Sequence, residues 1–209
     1  MGTPADDRLD RLVAFIVEID RLKGVLRQTM VTGSERHEND AEHSWHLALT
    51  AVLLAEYACD EVDLLRVVKM VLVHDLVEID AGDTFVYDTK AREDQQERER
   101  AAAERIFGIL PADLERDLWS LWEEFEARET PEARYAAALD RFQPILLNYH
   151  TQGAAWQRHG IRVDQVIERN AHMEAGAPAL WAYVRRLIED AVEKGYLAPE
   201  RDDSAEGRE

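Results

Sequence analysis

Leu64-Leu65-Arg66-Val67-Val68-Lys69-Met70-Val71-Leu72-Val73-His74-Asp75 decides the fold class of this chain. The apolar residues fill every face of a helix rather than one stripe, so the spacing predicts a buried helix over 63–77. Working outward, 42–58 is apolar in the same way, and two such helices imply a buried central pair. Leu9, Leu12, Phe15, Ile16 and Ile19 recur at helical spacing near 6–20. Asp88 or Thr89 is placed to cap a charged helix running to about Gly108, and Pro111 to open another carrying Leu114, Leu118, Leu121, Trp122 and Phe125. Thr130-Pro131 starts a helix that reaches Tyr149, and 163–173 and 179–192 close the chain. No strand is expected, because few runs alternate with period two. The expectation is an all-α, single-domain helical bundle over 1–195, with a polar, disordered tail over 196–209.

The 209 residues carry 25 Lys and Arg against 43 Asp and Glu, a formal charge of −18. A long nucleic acid is disfavoured as a partner, since each phosphate contact needs a Lys or Arg to displace counterions. One small phosphorylated ligand remains compatible. No apolar run reaches the eighteen or so residues of a membrane span, and the acidic start, Met1 to Asp7, lacks an apolar signal core. The lone Cys59 reads as a buried small hydrophobe in a reducing compartment. Cytoplasmic localisation is the expectation.

The chemistry sits where polar groups interrupt apolar helices. His74-Asp75 follows Val71-Leu72-Val73, His43 opens the other apolar helix, and Asp140 follows Ala136-Ala137-Ala138-Leu139. An unpaired buried carboxylate costs several kcal/mol or takes up a proton. A divalent cation held by His43, His74, Asp75 and Asp140 satisfies all three helices at once.

The order His43, His74-Asp75, Asp140 resembles that of the HD-domain metal-dependent phosphohydrolases. Glu38-Asn39-Asp40-Ala41-Glu42-His43-Ser44 is similar to the first-histidine motif of their 5′-deoxynucleotidase branch. His74 to Asp83, with Glu78 three after Asp75 and the Gly82-Asp83 pair, resembles that branch's central motif. Pro131-Glu132-Ala133-Arg134 with Leu139-Asp140-Arg141 resembles its last-aspartate helix. The resemblance covers roughly residues 8–190. It implies one divalent ion (Mn, Co, Mg or similar), Glu78 and Asp83 as catalytic acidic groups, a nucleoside monophosphate substrate and a homodimer.

Lys23 and Arg27 are the candidate phosphate cations. The loop Arg21 to Arg27 lacks the Trp of the nucleotidase branch, which predicts broad base tolerance. His46 reads as a core residue or a support to the metal ligands, and His37 as a surface residue. The late apolar stripe Leu180, Trp181, Val184, Leu187 and Ile188 is a candidate dimer surface or a core closure. The alternative readings are an HD-type phosphodiesterase, an iron-dependent oxygenase, or a non-catalytic, metal-stabilised helical binding module.

Overall fold

The computed structural model describes residues 4–88, 90 and 93–201. The helices are α1 (Pro4–Ile19), α2 (Asp40–Leu53), α3 (Leu64–Val73), α4 (Glu78–Ala81), α5 (Gln95–Phe107), α6 (Ala112–Ala127), α7 (Pro131–His150), α8 (Ala154–Arg158), α9 (Val163–Asn170), α10 (Met173–Gly176) and α11 (Pro178–Glu193). The all-α expectation holds, with one exception. Leu26–Met30 (β1) and His37–Asn39 (β2) pair as a small antiparallel hairpin, with Leu26 opposite Asn39 and Met30 opposite His37. The strands are too short and too polar for alternation to announce them.

The buried centre is α7, not the α2–α3 pair. Thr130 caps it by accepting from the Ala133 amide, and Pro131 sits in its first turn. Ala133, Ala136, Ala137 and Ala138 let neighbouring helices approach closely and are at most 1% exposed. Gly176 shows how close: a β-carbon there would lie 2.0 Å from the Arg134 carbonyl oxygen. The α2 and α3 helices pack on α7 with one face each. Their other faces leave Trp45, Leu49, Val52, Leu53, Leu65 and Leu72 exposed. An all-round apolar sequence therefore marked two half-buried helices.

A second apolar cluster gathers Phe15, Leu22, Val77, Ile106, Phe107, Leu121 and Trp122, so Trp122 belongs to the core as its spacing implies. The stripe Leu180, Trp181, Val184 and Ile188 is buried within the chain and closes the main core, which removes it as a dimer surface. Cys59 is exposed rather than buried. The charged helix begins at Gln95 after Asp94, later than expected. Thr89 lies outside the described residues. Packing also extends past 195: Leu197 is 1% exposed, and Ala198 accepts from the Val163 amide. Residues 202–209 of the expected tail lie outside the described residues.

Candidate metal centre and active site

Local structure delivers each candidate ligand. Asn39 and Glu42 form a reciprocal capping box that starts α2 at Asp40, which puts His43 at the end of its first turn, facing inward. The α3 helix ends at Val73 and tightens into a 3-10 turn over His74–Val77. At three residues per turn, Asp75 and Glu78 fall on one face. Gly82, with φ of 76°, then stops the chain by donating its amide to the Glu78 carbonyl, and Asp83 enters from the following loop. Asp140 projects from the middle of α7.

His43, His74, Asp75 and Asp140 converge as expected, all buried. His43 Nε2 is 3.1 Å from Asp140 Oδ1 and 3.8 Å from Asp75 Oδ2. His74 Nε2 is 3.0 Å from Asp75 Oδ1 and 3.7 Å from Asp140 Oδ1. The outer hydrogen bonds fix what these atoms are. Gln143 Nε2 donates to Glu38 Oε1 at 2.6 Å, so its Oε1 must accept the His43 Nδ1 proton, at 3.0 Å. His74 Nδ1 likewise donates to the Val71 carbonyl at 2.9 Å. With Nδ1 the proton-bearing nitrogen in each ring, both Nε2 atoms face carboxylate oxygens, an arrangement that needs positive charge at its centre: a metal ion bound by two neutral imidazoles, or without metal a proton, which His74 is the one to take. The residues present fit a divalent metal. Gln143 Nε2 also faces His46 Nδ1 at 3.2 Å, which places His46 behind Gln143 and His43.

Electrostatics match this geometry. Burial alone would lower His74, but the Asp75 and Asp140 carboxylates outweigh it and raise the imidazole to about 8. Burial, with the nearby Arg27 charge, lowers His43 to about 4. Burial would raise Asp140, yet Arg141 and the two imidazoles hold it well below the usual carboxylate range.

A second acidic group adjoins the first. Asp40, Glu78 and Asp83 bring carboxylate oxygens within 4.8 Å of one another, close enough to share a cation or a proton. Burial, then repulsion from Asp75, Asp40 and Asp83, pushes Glu78 well above the ordinary carboxyl value. Burial also raises Asp83, and it takes Asp40 to about 7. Arg27 is the counter-charge, donating from Nη1 to Asp40 Oδ1 at 3.0 Å and Asp75 Oδ2 at 2.9 Å, with Glu38 Oε2 3.8 Å from its Nε. It is thus held by protein carboxylates.

Lys23 is not brought to the site. It stands exposed on the turn Asp20–Gly24, paired with Asp20, because the short 3-10 turn directs it to solvent. His37 is half-buried rather than a plain surface residue, its Nδ1 bonded to the Arg27 carbonyl at 2.6 Å. Asp40, Glu38, Gln143, Arg128 and Arg141 were not expected as site residues. Asp40 and Glu38 lie within the quoted first-histidine motif, and Arg141 follows Asp140 directly, so position beside a ligand was their available signal.

The centre opens into a cavity of about 300 Å³. Its walls include Arg27, Asp75, Glu78, Asp83, Arg128, Asp140 and Arg141, with Phe85, Tyr87 and Trp156 as aromatic surface. That volume and mix suit a small polar ligand with one apolar ring.

Comparison with known proteins agrees. An HD domain family model matches residues 19–181. The human and mouse proteins named 5′-deoxynucleotidase HDDC2 are each 32% identical over 136 residues, 65% of this chain. The match spans 65% of the human protein's length, just under two thirds. A crystal structure from Magnetospirillum magnetotacticum MS-1, described as a "Predicted metal-dependent phosphohydrolase", is 52% identical. It superposes with a TM-score of 0.91 over 95% of this chain and all of that one. A Pyrococcus horikoshii OT3 protein shares the fold at 19% identity, with a TM-score of 0.60 over 87% of this chain and 99% of that one. With the ordered ligands converging in a helical bundle and the family match spanning most of its length, the chain belongs to the HD-domain family.

Proposed function

We propose that the protein is a metal-dependent phosphohydrolase that releases phosphate from nucleoside 5′-monophosphates. One observation carries this reading: His43 Nε2 and His74 Nε2 converge on the Asp75 and Asp140 carboxylates beneath an open cavity, with the raised carboxyl of Glu78 beside them. A divalent ion bound there polarises a phosphate oxygen and lowers the pKa of a water molecule.

The chain's own residues do the rest. Burial and the neighbouring carboxylates favour the protonated form of Glu78, so it is suited to protonate the leaving 5′ oxygen, with the adjacent Asp83 as its partner in proton traffic. Arg27 clamps Asp40 and Asp75 and limits repulsion within the acidic cluster. Phe85 and Tyr87, with ring centroids 5.2 Å apart, offer apolar surface to a base. The names of the human and mouse relatives support a nucleotide substrate, and the bacterial structure's description supports the reaction class.

A cytoplasmic homodimer completes the reading. No helix of the described residues is long and apolar enough to cross a membrane. The exposed α2 face, Trp45, Leu49 and Val52, replaces α11 as the surface on which two copies would close. Light scattering at micromolar concentration should give twice the 24.0 kDa chain mass, and a value near one chain would remove the dimer.

The function is tested by incubating manganese-loaded protein with dAMP, AMP, dGTP and a cyclic dinucleotide. Phosphate release from the monophosphates is expected. Cleavage of only the triphosphate or only the cyclic compound would overturn the reading.

A further inference from the structure

Arg128 and Arg141 line the cavity beside Asp140; Arg128 has no role described so far, and Arg141 has only its effect on Asp140. Arg141 follows Asp140 on α7, and its Nη2 lies 3.2 Å from Asp140 Oδ2. Arg128 ends α6 in the left-handed conformation, with φ of 54° and ψ of 31°. Helices that end this way mostly place Gly or Asn there, because a larger side chain is strained in this conformation.

The charges are unbalanced in an informative way. Among the described residues, no carboxylate closes an ion pair on Arg128, although it is only half-exposed. Glu126 and Asp140 act on it from farther off. Burial, and then repulsion from Arg141, pulls its guanidinium below the ordinary value. His172 senses the same positive corner: burial, then Arg128 and Arg141, lowers it to about 4. Two guanidinium groups that repel one another at a cavity wall are stabilised when an anion lies between them. Arg27 does not substitute, because its Nη1 already donates to both Asp40 and Asp75.

We propose that Arg128 and Arg141 together read the dianion of a phosphate monoester, holding the non-bridging oxygens that face away from His43, His74, Asp75 and Asp140. A monoester carries about −1.5 to −2 charge and three acceptor oxygens. A diester has one charge and two such oxygens. The pair therefore sets selectivity for monoesters over diesters. This rests on the phosphohydrolase reading above, and it assigns that site's specificity to two named side chains.

The test uses manganese-loaded wild type, Arg128→Gln, Arg128→Lys and Arg128→Gly. Arg128 is chosen because Arg141 touches a metal ligand. Calorimetric titration with inorganic phosphate should show affinity at least tenfold weaker in Arg128→Gln, with manganese content unchanged and partial rescue in Arg128→Lys. Arg128→Gly, which relieves the left-handed strain, should weaken phosphate equally without lowering Tm. With p-nitrophenyl phosphate and bis(p-nitrophenyl) phosphate, Arg128→Gln should lower kcat/KM for the monoester at least tenfold more than for the diester.

Phosphate affinity within twofold of wild type overturns the proposal, as does a parallel fall on both esters. These outcomes separate from failure of the broader reading. If wild type releases phosphate from neither p-nitrophenyl phosphate nor any of the nucleoside monophosphates, but Arg128→Gln still loses phosphate affinity, the hydrolase assignment falls and the anion site stands. If wild type hydrolyses the monoester and Arg128→Gln equals it in both assays, the opposite holds.

Discussion

Replacing Gln143 by Leu removes a side chain that is 1% exposed and holds two site residues in place. Its Oε1 takes the His43 Nδ1 proton at 3.0 Å, and its Nε2 donates to Glu38 Oε1 at 2.6 Å. Leu fills a similar volume, so the cost is polar rather than a cavity. A buried group left without its partner costs about 1–3 kcal/mol. Two such groups give roughly 2–6 kcal/mol for the chelator-treated protein, toward the lower end if Glu38 takes a proton. The effect on metal is distinct. Without its acceptor, the His43 proton can move to Nε2, 3.1 Å from Asp140 Oδ1, where it occupies the lone pair the metal needs. Loss of an outer partner of this kind typically weakens metal binding 10–100-fold. Urea unfolding in chelator measures the first quantity, and manganese calorimetry the second. Manganese affinity equal to wild type in Gln143→Leu would refute the tautomer argument, whatever happens to stability.

Other perturbations test other links. Glu78→Gln should keep the fold and the manganese stoichiometry while turnover falls about 10²-fold or more; a wild-type rate on dAMP would remove Glu78 from proton transfer. Gly153→Ala should destabilise by at least about 2 kcal/mol, since φ is 75° and a β-carbon would lie 1.9 Å from the Tyr196 carbonyl oxygen; an unchanged urea midpoint would contradict that packing. Chelator-treated protein should lose stability as pH rises from about 6.5 to about 8. Over that window burial holds Glu38 and Asp40 up at about 7, and the Asp75 and Asp140 carboxylates overcome burial to hold His74 up at about 8. The native state then binds more protons than the unfolded chain, and each such proton is worth about 1.4 kcal/mol per pH unit. Below the ordinary histidine value of 6.5, His43 and His172, both lowered to about 4, act in the opposite sense. A Tm that rises between pH 6.5 and 8 would contradict this.

The proposed metal-binding residues were legible because their chemistry is out of place. A His-Asp pair after Val71-Leu72-Val73, and an Asp after three alanines and a leucine, stand out in apolar helices. Asp40 was not visible in this way, because it lies among Glu38, Asn39 and Glu42, where acidic residues look like a solvated helix start. Arg128 and Arg141 were hidden for the same reason, since a charged residue on a helix gives no sign of facing a cavity. Lys23 and Arg27 are four residues apart, and the hairpin decides which is turned inward. That hairpin depends on long-range pairing of short polar strands, which leaves no local period to read. The apolar surroundings of α2 and α3 marked helices correctly. Which faces α7 would cover is a property of packing, and Trp45 and Leu49 show that local sequence does not determine it.

In the proposed site, four side chains from α2, the 3-10 turn after α3, and α7 hold one divalent ion at the base of the cavity. Anomalous diffraction from manganese-soaked crystals, recorded on either side of the manganese absorption edge, locates that ion. A peak is expected within bonding distance of His43 Nε2, His74 Nε2 and carboxylate oxygens of Asp75 and Asp140, and it should disappear in Asp140→Ala. A map with no peak among these four residues, or a peak that persists undiminished in Asp140→Ala, would contradict the claim.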